Sequence, residues 1–213
     1  MLRVGHRGAA ALGPENTIES VRAAIEAGVD MIEFDVAPGP VVAHSPRRPG
    51  IALLRFLEAL ADLAPPPVEL LVDLKRTGYE ETTLRWLRET ELADRATVSS
   101  SDRRSLSVLG GRIRTSYSYT RHHPGPAAPL ARTVAANRWR ATSANDITIR
   151  HTLVSPALVA TVHRAGGRVF AWTVNTRQGI DRMRALGVDG VITDDPRLFR
   201  DGNAERTSEM GTK

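Results

Sequence analysis

Four short stretches hold the residues of this chain that could do chemistry: His6-Arg7-Gly8, Glu33-Phe34-Asp35, His44 and Asp73-Leu74-Lys75. Each ends or follows a run of strand-like composition. Side chains alternate along a strand, so Glu33 and Asp35 point the same way, and Asp73 and Lys75 repeat that geometry. Three carboxylates converging from adjacent strands repel one another and resist burial unless a cation compensates them. An all-oxygen donor set suits one divalent cation, Mg²⁺ or Ca²⁺, rather than zinc. Either acidic pair alone would fit ion pairing with arginines at a sheet rim. Two such pairs on neighbouring strands, with histidines beside them, point to a site. Histidine titrates near neutrality, so of His6 and His44 one can take a proton from a nucleophile while the other protonates a leaving alkoxide. The remaining histidines, His122, His123, His151 and His163, read as structural. Lysine is scarce: of 29 basic residues only Lys75 and Lys213 are lysines. Arginine is a planar fork and lysine a compact point charge, so the one internal lysine asks for a specific explanation.

The elements that must position these groups alternate along the whole chain. Strands are expected at residues 2–4, 31–36, 68–74, 96–99, 113–117, 141–143, 168–174 and 191–192, with a short return strand at 41–44. Helices are expected at 17–27 (capped by Asn16 and stopped by Gly28), 51–63 and 79–89, from Asp102, and at 130–137. Another starts at Ser155-Pro156 and ends at Gly166, one covers 176–186, and a short one follows Pro196. Eight βα units imply a parallel sheet, and eight is the count that closes a barrel. An open doubly wound sheet is the alternative. Acidic and histidine residues recur at the C-terminal ends of several strands, where barrel enzymes place their chemistry, so the expected fold is a (β/α)₈ TIM barrel with minimal loops. Residues 1–200 form that single domain, and the polar tail 201–213 is expected to fray.

Composition is that of a soluble globular protein, with 41% hydrophobic and 25% charged residues in 213. Without cysteine, disulfides and thiolate metal sites are excluded. No basic and apolar leader precedes the first strand, and no apolar run reaches the ~18 residues of a membrane span, so the expected location is cytoplasmic. The net charge of +5 admits anionic partners. The basic residues are scattered, and three Tyr, four Phe and three Trp are few for base stacking, which argues against nucleic acid.

The motifs His6-Arg7-Gly8, Pro14-Glu15-Asn16-Thr17, Glu33-x-Asp35-Val36, His44 and Asp73-x-Lys75, with Trp172-Thr173-Val174-Asn175 and the stretch Gly187 to Asp194, resemble the glycerophosphodiester phosphodiesterase family. The resemblance runs from about residue 3 to residue 199. It implies a phospholipase C-like TIM barrel that splits a glycerophosphodiester into an alcohol and glycerol 3-phosphate. It further implies that His6 and His44 are catalytic, that Arg7 binds phosphate, and that Glu33, Asp35 and Asp73 hold the metal. Lys75 would stabilise charge on the phosphate and Trp172 would line the pocket. The chain departs from the family pattern in having aspartate at 73 where glutamate is usual, His44-Ser45 for His-Asp, a short Pro38-Gly39-Pro40 turn, and no covering insertion after His44. An open site of this kind leads to an expectation of weak discrimination among headgroups. Other readings are a lysophospholipase D-like or sphingomyelinase D-like enzyme acting on lipid headgroups, and a non-catalytic phosphodiester-binding protein. The intact constellation argues against the last.

Overall fold

The computed structural model of the chain describes residues 1–45, 47–120 and 128–200. Its strands are β1 (Leu2–Gly5), β2 (Met31–Ala37), β3 (Val41–Val42), β4 (Ile51–Ala52), β5 (Glu69–Leu74), β6 (Ala96–Ser100), β7 (Arg114–Tyr119), β8 (Asp146–Arg150), β9 (Val169–Trp172) and β10 (Gly190–Thr193). The helices between them are α1 (Ile18–Glu26), α2 (Leu53–Leu63), α3 (Glu80–Glu89), α4 (Arg103–Leu109), α5 (Ala128–Arg140), α6 (Pro156–His163) and α7 (Arg177–Ala185), and a 3₁₀ turn covers Pro196–Phe199. The strand order is β1-β10-β9-β8-β7-β6-β5-β2, and β2 pairs in parallel with β1. The sheet therefore closes into an eight-stranded parallel barrel, which removes the open-sheet alternative. β3 and β4 are an antiparallel appendage on β2, in register Val36↔Val42 and Val41↔Ala52.

Burial on both faces explains the strand compositions. In β2, Ile32, Phe34 and Val36 face outward into the layer beneath the helices, with Leu53, Phe56 and Leu57 of α2 in the same cluster. Met31, Glu33 and Asp35 alternate with them and face inward. The barrel interior is layered. Val4, Met31, Leu71, Phe170 and Ile192 make an apolar middle. Gly190 belongs to this layer by necessity, since a Cβ there would lie 2.5 Å from the Phe170 ring. Below it is a polar floor in which Asp146 accepts from Arg114 and Arg168, and Arg168 also donates to Glu69 and Thr97. Above it, at the C-terminal ends of the strands, lie the groups singled out for chemistry.

Two local expectations fail. Residues 141–143 are not the sixth barrel strand, which is β8, Asp146–Arg150. Ala-Thr-Ser instead forms a turn, with Thr142 Oγ1 donating to Trp139 O and accepting from Ala144 N. The true strand begins on a charged residue, tolerated because its buried carboxylate is paired with two arginines. Nor is Asn16 the cap of α1. Thr17 takes that place in a reciprocal capping box with Ser20. The residues of the expected helix at 130–137 lie within the longer α5. His122, His123 and the tail 201–213 lie outside the described residues. Among the described residues no helix is long and apolar enough to cross a membrane.

Candidate active site

Register brings the acidic residues together. In the β2–β5 pairing Asp35 lies opposite Asp73, and Glu33 lies opposite Leu71 one inward position below. One oxygen from each of Glu33, Asp35 and Asp73 falls in a set whose members are all within 4.8 Å of one another. Asp35 is fully buried and Glu33 nearly so. Burial first, and then the charge of Asp35, push the Glu33 carboxyl up to about 7. Asp35 goes the other way, to about 2, because Lys75 and Arg7 more than reverse the effect of its burial. Lys75 Nζ bridges Asp35 and Asp73, and Ser99 Oγ donates to Asp73.

The loop after β1 supplies the next layer. Arg7 and Asn16 both have left-handed backbones, φ 52° and 62°. Such conformations persist only where surrounding contacts determine them. Here Arg7 N donates to Glu33 Oε2 (2.8 Å), and Arg7 O accepts from Asn16 N (3.0 Å) and Ser20 Oγ (2.8 Å). Gly8 must be glycine, since a Cβ there would lie 2.3 Å from Ser20 Oγ. The Asn16 carboxamide is committed to Asp35, donating to Oδ2 (3.1 Å) and accepting from its backbone N–H (2.9 Å). The Arg7 guanidinium pairs with Glu15, while its Nε lies 3.0 Å from Asp35 Oδ2 without the alignment of a hydrogen bond.

Both histidines are aimed by carboxylates. His6, one residue past β1, directs Nδ1 at Asp194 Oδ1 (2.6 Å), with Nε2 3.9 Å from Glu33. Burial would lower its pKa, but the hydrogen bond to Asp194 and the charge of Glu33 raise it above the ordinary imidazole value. Asn175 Nδ2 holds the other oxygen of Asp194 at 2.5 Å. His44 reaches the site because the β2–β3 hairpin folds back, with Ala43 N donating to Asp35 O at 3.1 Å. Its Nδ1 is 3.1 Å from Asp35 Oδ2. His6, Arg7, Glu33, His44, Asp73, Lys75 and Trp172 all line one cavity of about 280 Å³ at the barrel mouth. Asp35, fully buried at the level of Asp73, contacts several of these groups without lining the cavity. Of the other described histidines, His163 pairs with Asp189 on the surface (2.8 Å) and His151 follows β8, so neither joins the cavity.

The residues present fit a divalent cation. The donor set is all oxygen, and two of its three mutually close carboxylates are buried, a grouping that a divalent cation would compensate. Asp73, shorter than glutamate, already faces this set and is steadied by Ser99.

A closed parallel barrel with carboxylates, histidines and cationic side chains at its C-terminal mouth has the groups for acid–base chemistry on an anionic substrate. The model of the glycerophosphoryl diester phosphodiesterase family matches residues 6–44 and 57–198. The chain belongs to that family. The break in the match falls after His44, over β4 and the first turn of α2. YhdW of Bacillus subtilis is 28% identical across 96% of this chain and 99% of its own. The glycerophosphodiester phosphodiesterase of Caldanaerobacter subterraneus is 26% identical across 93% and 96%. An Oleispira antarctica phosphodiesterase, solved with the product sn-glycerol-3-phosphate, superposes with a TM-score of 0.69 at 21% identity, covering 91% of this chain and 93% of that one.

Several groups of the site were not assigned roles from sequence. Asp194 and Asn175 stood inside quoted motifs, but only the fold brings them to His6. The carboxamide of Asn16 was read as a helix cap. Glu15 also stood inside a quoted motif without a role, and Ser99 carried no signal beyond polarity.

Proposed function

We propose that this chain hydrolyses glycerophosphodiesters to an alcohol and glycerol 3-phosphate, using one divalent cation and a pair of histidines. The observation that carries this reading is the meeting, at the barrel mouth, of three mutually close carboxylates with two histidines that each turn Nδ1 to a carboxylate. With Nδ1 so engaged, each ring keeps Nε2 for proton transfer. Arg7 and Lys75 bring positive charge to the phosphate, Arg7 as a fork and Lys75 as a point charge released from Asp35 and Asp73. Glu33, Asp35 and Asp73 would hold the cation, which when bound supplies charge compensation and Lewis acidity at a phosphate oxygen. One histidine takes the proton of the attacking oxygen, from water or from the glycerol hydroxyl beside the ester, as that oxygen bonds to phosphorus. The phosphorus–oxygen bond to the alcohol breaks, and the other histidine gives the departing oxygen its proton. A cyclic phosphate formed by the glycerol hydroxyl is opened by water in a second step.

The test is release of glycerol phosphate from a panel of glycerophosphodiesters, with lysophosphatidylcholine as the lipid alternative. We expect turnover of the soluble diesters, loss on exhaustive chelation, and recovery with Mg²⁺ or Ca²⁺. Glu33→Ala is expected to fold and to fail to bind the cation in a direct titration. Full activity after chelation would remove the cation from the mechanism. Turnover of the lysolipid alone would move the substrate to lipid headgroups.

A further inference from the structure

The cavity has two chemically different sides. Every carboxylate that lines it comes from β2 or β5, while the wall built by β6 to β9 is made of Ser99, Ser118, Thr120, Thr148, Trp172 and Thr173. That wall offers hydroxyls and no anion. Arg150, the register partner of Trp172, shares its inward face at the rim. Its guanidinium carbon stacks 4.9 Å from the centre of the Trp172 ring. Arg150 stands beside the cavity rather than among its lining residues, and among the described residues its guanidinium makes no ion pair or hydrogen bond. Its Nε, and the indole Nε1 of Trp172, are buried donors without an acceptor. Buried donors of this kind are costly unless an acceptor meets them.

We propose that Arg150, stacked on Trp172, is the subsite for the departing alcohol and selects diesters whose alcohol carries an anionic group. The inference rests on the phosphodiesterase reading above and adds the substrate class to it. The variable alcohol belongs at the rim because it must leave toward solvent, and Arg150 and Trp172 are the rim-level positions of β8 and β9. Two orphaned donors and a cation suit a carboxylate or phosphate, to which a guanidinium binds as a fork. An ammonium headgroup meets the opposite conditions. It would need the Trp172 ring for a cation–π contact, but the protein's own guanidinium already lies on that ring. It would also find no carboxylate on this wall.

Glycerophosphoserine and glycerophosphoethanolamine differ by one carboxylate and form a matched pair. The wild-type protein is expected to favour the serine ester by about tenfold or more in kcat/KM, the size of one charge-assisted hydrogen bond. Arg150→Gln should bring the ratio to within about twofold of one, and Arg150→Lys, which keeps the charge but not the planar stack, should fall between. A wild-type ratio near one, or one favouring ethanolamine, overturns the assignment without needing any variant to fold. So does an unchanged ratio in Arg150→Gln. Absence of glycerol phosphate from both substrates would instead overturn the underlying phosphodiesterase reading.

Discussion

At the scale of residues, His6 and His44 present the same ring nitrogen to a carboxylate but differ in setting. The His6 side chain is 15% exposed and its partner Asp194 is itself held by Asn175, whereas the His44 side chain is 45% exposed at the rim. The enclosed, oriented ring suits the base, and the rim ring suits the acid that meets a departing alcohol. On a natural diester each alanine variant should lower kcat by on the order of 10²–10⁴-fold. A p-nitrophenyl ester leaves without a proton, so His44→Ala should be largely rescued on it and His6→Ala should not. Equal, unrescued losses would mean that both rings merely hold the phosphate. His44 was legible because it follows the acidic end of β2 by nine residues, and His6 because it follows the end of the first strand in a His-Arg-Gly motif. Arg150 was not, since among so many arginines only the interior register distinguishes it. The Arg150 proposal sets discrimination by charge against the sequence-based expectation of weak headgroup discrimination, and the matched serine and ethanolamine esters decide between them.

At the scale of elements, the barrel strands were legible as short apolar runs except the sixth, whose start on the buried, arginine-paired Asp146 hid it. Their order around the barrel followed from eight repeated βα units. The links between elements were less so, because side chains make them across long separations. Asp30, in the turn leading to β2, accepts from Arg3 N (2.8 Å), Nε (2.9 Å) and Nη2 (2.7 Å), tying β1 to its neighbour. The hydrogen bonds from the Arg3 side chain hold the Asp30 carboxyl below its ordinary value of 3.8 despite partial burial. A depressed carboxyl contributes stability that is present above the unfolded value and lost as pH falls through the lower folded one. Both partners are partly exposed, so Asp30→Asn should cost only about 1 kcal/mol at pH 7. The gap from wild type should close as the pH drops below 3.8. Urea titrations at neutral and acid pH read this directly, and a gap of constant size would show that the charge of Asp30 contributes nothing.

At the scale of the whole molecule, the barrel stacks two polar layers on either side of an apolar one, and the separation gives them different duties. The upper layer gathers like charges that a cation and a substrate would balance. The floor is balanced internally: buried Asp146 takes two bonds from Arg114 (2.8 and 2.7 Å) and is also bonded by the backbone and side chain of Arg168. Removing the anion from such a set leaves two cations facing one another at the barrel end. Breaking a buried pair costs about 3–5 kcal/mol, and the partial exposure of Arg114 places Asp146→Ala near the lower end, about 3 kcal/mol. Val4, Met31, Leu71, Phe170 and Ile192 lie between floor and site, so kcat of the folded fraction should stay within about twofold of wild type. Denaturant unfolding together with activity measured well below the melting range separates the two effects. A loss under about 1 kcal/mol would mean that water already screens the arginines. A fall in kcat without loss of stability would mean that the apolar layer transmits the state of the floor to the catalytic end.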